Sequence, residues 1–163
     1  VDMQRVVQAF RNIIVNAVKF TPNGGTITVS GQHEPAPNRN EVDHVLINVT
    51  DTGVGIDEKN LLLIFQKFYR GYDTQLHSMG MYKFMGAGPG LGLTIARGII
   101  EGHGGRIWAT SAGHDAKALP GTTFHVRLPV KPPEGTSGVL AIQNDDEVPT
   151  NQRTLETKAI QDT

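Results

Sequence analysis

The stretch GAGPGLGL, Gly86 to Leu93, constrains this chain most, because it runs directly into TIARGIIEGHGG. Four glycines alternate with small residues, and then an apolar helical pattern begins. Glycine lets the backbone turn through positive φ and lets a ligand approach the main chain. A helix beginning there brings unpaired N–H groups and the positive end of its dipole. Together these suit an anion, most often a phosphate. The same composition also suits a plain flexible connector, so its meaning depends on what stands around it.

Upstream, residues 2–20 read as a helix. Met3, Val6, Val7, Phe10, Ile13, Ile14, Ala17 and Val18 recur at helical spacing and are expected to form one apolar face. Asn12, Asn16 and Lys19 fall within an arc of about 60° on the other side. They are either a solvated polar face or a set of side chains kept for their polar atoms. Asparagine is a poor helix former, and its use twice inside a helix favours the second reading. Thr21–Pro22–Asn23–Gly24–Gly25 ends the helix.

Two strands follow, over Thr26–Gly31 and Val45–Thr50, with a polar hairpin loop from His33 to Asp43 between them. The second strand is the more continuously apolar, which suits a central place. It leads into DTGVGI, Asp51 to Ile56. Asp51 serves there either as a turn former or as a partly buried carboxylate that accepts a hydrogen bond from a ligand. Asp57 suits the N-cap of a short helix, followed by FQKFYRG, Phe65 to Gly71. Residues 71–85 show no period and carry Met79, Met81 and Met85, as in a lid, a disordered segment or a sticky surface. Beyond the glycine loop, Leu91, Ile95, Ile99 and Ile100 line one helix face. Strands are expected at Arg106–Thr110 and from Gly121 to Pro129, and KPPEGTSG, Lys131 to Gly138, has linker composition.

Composition removes several function classes. No cysteine is present among the 163 residues, so disulfides, thiolate catalysis and Cys-based zinc sites are excluded. A formal net charge of −1 argues against a nucleic-acid footprint. No apolar run approaches the roughly 18 residues of a membrane span. The chain begins inside a helical pattern and reads as a piece of something longer.

In order, the Asn-x-x-x-Asn-Ala-x-Lys-Phe helix, DTGVGI, FQKFYRG and GAGPGLGL with GTTF behind it resemble the ATP-binding catalytic domain of sensor histidine kinases, of the gyrase, Hsp90, histidine kinase and MutL class. The resemblance covers Val1 to about Val130. It implies an α/β fold: a two-layer sandwich of the Bergerat type, with a mixed, mostly antiparallel sheet of about five strands under three helices. It implies ATP and Mg²⁺ as cofactors, with Asn16 and Asn12 as metal ligands and Lys19 and Arg70 near the phosphates. Asp51 would accept from the adenine amino group, Gly53, Gly55 and Ile56 would make room for the purine, and Phe65 and Phe68 would pack the lid base. Gly88, Gly90, Leu91, Gly92 and Leu93 would form the phosphate loop, and Thr122 would support adenine through water. Gln66 stands where the family often has Glu, and Pro89 interrupts the glycines.

The implied activity is transfer of the ATP γ-phosphate to a histidine on a dimerisation helix outside this chain, in a homodimeric parent serving a response regulator. This piece is expected to be cytoplasmic and to touch neither nucleic acid nor membrane, whether or not the parent is membrane-anchored. An autonomous ATPase or a non-catalytic nucleotide sensor are the competing readings. Asn12 opposes the ATPase, because the ATPases place Glu four residues before the magnesium asparagine. A dinucleotide-binding site fails because no strand precedes GAGPGL, and a P-loop fails because no Lys–Ser/Thr follows. Within the expected tail, residues 131–163, Val139–Leu140–Ala141–Ile142 and Asn144–Asp145–Asp146–Glu147 resemble the start of a receiver domain.

Overall fold

The computed structural model describes residues 2–69 and 90–131. The first helix, α1 (Met3–Phe20), is capped by Asp2, whose carboxylate accepts from the Arg5 N–H at 3.2 Å. It stops at Thr21, whose hydroxyl turns back to the Ala17 carbonyl at 2.7 Å, just before Pro22. Strands β1 (Ile27–Glu34) and β2 (His44–Asp51) form a hairpin, and Asp51 is the last residue of its strand. β1 runs three residues past the expected Gly31, because Glu34 and His33 are held across the sheet: Arg127 donates to Glu34 at 2.6 Å, and His33 meets Asp43 at 3.0 Å.

Two 3₁₀ turns, Glu58–Asn60 and Leu63–Phe65, occupy the place of the expected short helix, and Asp57 starts the first without a side-chain cap bond. Helix α2 (Gly92–Gly102) is followed by β3 (Arg106–Thr110) and β4 (Thr122–Pro129). The sheet order is β1-β2-β4-β3, and every neighbouring pair among the described strands is antiparallel. This is an α/β two-layer sandwich of the Bergerat kind.

The core lies between the helices and one sheet face. Val49, Phe124 and Val126 from the central strands meet Ile13 and Ala17 of α1 and Ala96, Ile99 and Ile100 of α2. The small side chains Ala9, Ala17 and Ala96 are fully buried. Phe65 closes one end of the core, edge-on to Phe124 with ring centroids 6.5 Å apart. His103 fastens the far end. Its Nδ1 meets the Ile99 carbonyl at 2.7 Å and its Nε2 accepts from the Asp2 N–H at 3.1 Å, tying the end of α2 to the start of α1.

The apolar face expected of α1 proves too broad. Val6, Ala9, Ile13 and Ala17 are buried, whereas Met3, Val7, Ile14 and Val18 are exposed. A helix in a two-layer sandwich covers the sheet and its neighbour with only part of its circumference, and the wider apolar arc is left outside. The other sheet face is polar: Thr50 meets Thr123 at 3.1 Å, and His125 meets both Asn48 and Thr110 at 2.8 Å. The expected lid, 71–85, and the tail from 132 onward lie outside the described residues.

Candidate nucleotide site

β2 delivers Asp51 to the sheet end, where β4 begins alongside it; Asp51 and Thr122 are register partners. Asp51 is 4% exposed and Thr122 is also buried. Burial raises the Asp51 carboxyl above the ordinary carboxylate range, and the backbone amides of Gly53 and Thr122 act the other way. Oδ1 accepts from the Gly53 N–H at 2.8 Å, so one oxygen is spent on the protein's own turn. The carboxylate does form the turn, as a simple turn former would, but it does so inside the fold.

The DTGVGI turn is held on both sides. Val54 N–H donates to the Phe20 carbonyl at 3.2 Å, anchoring it to the end of α1. Gly121 N–H donates to the Gly53 carbonyl at 2.9 Å and Asp115 N–H to the Val54 carbonyl at 2.8 Å. Gly55 bridges to His114. These contacts explain the glycines. A Cβ on Gly53 would lie 2.3 Å from the Phe20 carbonyl oxygen and 2.7 Å from Asp51 Oδ1. One on Gly55, at φ +72°, would lie 2.0 Å from the Gly113 carbonyl oxygen. The atoms that forbid a side chain at these two positions belong to the chain itself.

The other half of the site lies between the helices. Asn12, Asn16 and Lys19 are half-buried on α1. The start of α2 lies beside Asn12: a Cβ on Gly92 would stand 3.9 Å from the Asn12 side chain. Lys19 lies 5.0 Å from the centre of the Phe20 ring. α2 begins after Leu91 without a side-chain cap, so its first-turn N–H groups are left without partners inside the helix. Gly90 has φ +72°, which a glycine adopts without strain. Thr94 pins this helix start to the 3₁₀ segment by donating to the Phe65 carbonyl at 3.0 Å. Leu93 and Ile56 pack against the core from the two halves.

Three expectations meet the structure differently. Phe65 is buried, but Phe68 is 69% exposed and sits at φ 63°, so its side chain is directed away from the core. Arg70 and Gly88 lie outside the described residues. Ser111 and Gly121 were not singled out by the sequence, yet both hold the DTGVGI turn: Ile56 N–H donates to the Ser111 hydroxyl at 3.0 Å. Ser111 follows a strand and Gly121 precedes one, and neither position announces a partner so far away in the chain.

The donor set fits a hard cation that keeps most of its water. Asn12 and Asn16 share a face of α1, the Asn12 side chain lies beside the start of α2, and the described residues contain no cluster of three or more His, Asp or Glu side chains that would cage a metal. Such an ion would take its remaining ligands from phosphates and water. Among the described residues no helix is long and apolar enough to cross a membrane.

Residues 1–132 match the family described as "Histidine kinase-, DNA gyrase B-, and HSP90-like ATPase". The sensor histidine kinase WalK of Bacillus subtilis (strain 168) is 37% identical over 132 residues, which is 80% of this chain and 19% of that protein. The adaptive-response sensory kinase SasA of Nostoc sp. is 34% identical over 131 residues, 80% of this chain and 28% of that protein. The chain therefore spans less than a third of the length of these curated relatives. Among solved structures, the mycobacterial sensor histidine kinase MprB superposes with a TM-score of 0.62 at 30% identity, covering 81% of this chain and 76% of that one. Full-length ShkA in complex with AMPPNP shares the fold, with a TM-score of 0.57 at 24% identity, over 79% of this chain and 22% of that one. On these matches the chain belongs to the histidine kinase-, DNA gyrase B- and HSP90-like ATPase family, as an ATP-binding catalytic domain of the sensor histidine kinase kind.

Proposed function

We propose that this domain binds Mg-ATP between α1 and α2 and hands the γ-phosphate to a histidine on a dimerisation helix outside this chain. The observation that carries the adenine half is Asp51, a buried carboxylate with one oxygen fixed by the Gly53 N–H. The carboxylate would also accept a donor such as an adenine amino group. Guanine offers an acceptor at that position, and two facing acceptors in a dry pocket are costly. Ile56, at the end of the same turn, would make room for the purine, and Thr122, the register partner of Asp51, would support the base through water.

At the phosphate half, Asn16 and Asn12 would hold Mg²⁺, Lys19 would act as a point charge, and Gly90 to Leu93 would offer backbone donors. Arg70 and Gly88 belong to the same proposal. Bound magnesium would neutralise charge developing on the transferred phosphoryl group. The histidine-bearing helices, a homodimeric parent, a response regulator and a cytoplasmic setting complete the reading.

Asn12 favours phosphotransfer over ATP hydrolysis. An amide is no base, and general-base assistance to an attacking water is typically worth about 10²–10⁴-fold. The test compares steady-state hydrolysis by the purified chain with phosphotransfer to a supplied dimerisation-helix protein. Slow hydrolysis with Asn16-dependent transfer to the histidine is expected. Rapid, Asn16-dependent hydrolysis without the helix would overturn the kinase reading in favour of an ATPase.

A further inference from the structure

The loop between β3 and β4, residues 111–121, is tied to the DTGVGI turn through one hydroxyl. Ser111 Oγ accepts from the Ile56 N–H at 3.0 Å and lies 2.7 Å from the Gly121 carbonyl and 2.9 Å from the Gly113 carbonyl. The Gly113 N–H adds a longer contact at 3.4 Å. A hydroxyl has one proton and two lone pairs. Its proton is therefore directed at the two carbonyls, the nearer being Gly121, and a lone pair takes Ile56.

Ser111 thus spans the two ends of the stretch that carries the buried acid. Ile56 closes the turn that starts at Asp51. Gly121 donates to the Gly53 carbonyl and precedes Thr122, the register partner of Asp51. The seat is tight, because a Cβ on Gly55 would lie 2.9 Å from Ser111 Oγ and 2.6 Å from the Pro120 ring. Gly53 and Val54 are tied by backbone bonds to Gly121, Phe20 and Asp115, Gly55 is bridged to His114, and at Ile56 the N–H goes to a side chain. The position of Ile56 is the part that depends on a side chain from another element.

We infer that Ser111 is a positioning residue for the purine: through the Ile56 N–H and the Gly121 carbonyl it sets the wall against which the base lies, and the phosphate half of the site does not depend on it. This inference rests on the nucleotide site proposed above.

The test is Ser111→Ala, checked for native folding by circular dichroism and titrated with Mg-ADP and with Mg-tripolyphosphate, which has the phosphates and no base. Losing the clamp is expected to weaken Mg-ADP about tenfold, with Mg-tripolyphosphate held within about twofold of the wild type. Equal weakening of both, as a loosened fold gives, would overturn the assignment, and so would unchanged ADP affinity. A wild-type chain that takes tripolyphosphate but not ADP would instead overturn the adenine site itself. Hydrogen exchange on the wild-type chain gives a second reading that needs no variant. The Ile56 amide is expected to be protected before ligand, and further protected by ADP and not by tripolyphosphate; free exchange of that amide would show that the clamp does not hold.

Discussion

The two ends of the site are built by different means. At the base end the turn's backbone N–H groups are already committed to the protein: Gly53 to Asp51, Val54 to Phe20, Ile56 to Ser111. What the Asp51 carboxylate would offer a ligand is an acceptor held rigidly in a buried place. At the phosphate end the helix start is uncapped, and the amides of its first turn have no partner within the helix. A base is recognised by a fixed pattern of donors and acceptors, so its reader must not move. A phosphate is recognised by the number of donors and by charge, and its reader must stay available until the ligand arrives. The base end should therefore be intolerant of added atoms, and the phosphate end should forgive them.

Gly53→Ala should break the base end most severely. The new Cβ would fall 2.3 Å from the Phe20 carbonyl oxygen, and that carbonyl also receives the Val54 N–H. Neither backbone can retreat without dismantling the turn. The expected loss is about 3 kcal/mol of stability, a fall in Tm on the order of 10 °C, together with loss of ADP binding. Thermal melts and calorimetry check both; an alanine variant as stable as the wild type would show that the turn is loose.

Asp51→Asn should separate recognition from stability. The Gly53 N–H requires an acceptor, so the amide oxygen of the variant is expected to keep that place and turn its NH₂ toward the ligand. Donor then faces donor, and ADP affinity should fall by about 30- to 100-fold. Stability should not fall with it. Burial raises the Asp51 pKa, so the native state binds its proton more tightly than the unfolded chain does. The wild type is therefore free of the penalty below the ordinary carboxylate pKa and acquires it as pH rises through the raised one. The variant should equal the wild type in Tm at acid pH and exceed it at neutral pH. ADP binding by the wild type should weaken on acidification through the same raised pKa. A variant that melts lower than the wild type at neutral pH would show that the ionised carboxylate stabilises the fold.

Much of this was legible in the sequence, and what was not has physical causes. Asp51, Gly53 and Gly55 sit in one short stretch, and the strand before them is apolar enough to announce burial. The period of α1 was equally plain, but periodicity gives an arc and not its use. Met3 and Val7 are 65% and 59% exposed while Ala9 and Ala17 are fully buried, because close packing against α2 selects small side chains. Phe68 misled for a related reason: an aromatic beside a buried Phe65 suggests shared packing, yet its backbone at φ 63° carries it outward. Ser111 was out of reach of local pattern altogether, since its partner Ile56 belongs to another element. The neighbour of Asn12 was likewise out of reach, since the start of α2 that lies beside it comes from a distant part of the chain.

The smallest expected effect is at Gly92, and it sharpens the contrast best. Gly92 is the first residue of α2, and its glycine character was read as part of a phosphate loop. Among the described residues a Cβ there would meet only the Cβ and Cγ of Asn12, both at 3.9 Å, which is ordinary van der Waals contact. No positive φ demands glycine at this position, unlike Gly90 with φ +72°. Alanine restricts the unfolded chain and favours the helix, so Gly92→Ala should leave stability unchanged or raise it by about 0.5 kcal/mol. The N–H remains in place, and Mg-ADP affinity should stay within about threefold of the wild type. If the folded variant instead lost Mg-ADP outright, the phosphates would have to come closer to the Gly92 backbone than a methyl group permits. The phosphate end would then be as closely fitted as the base end, and the difference between them would lie in timing alone, one end complete before the nucleotide arrives and the other completed by it.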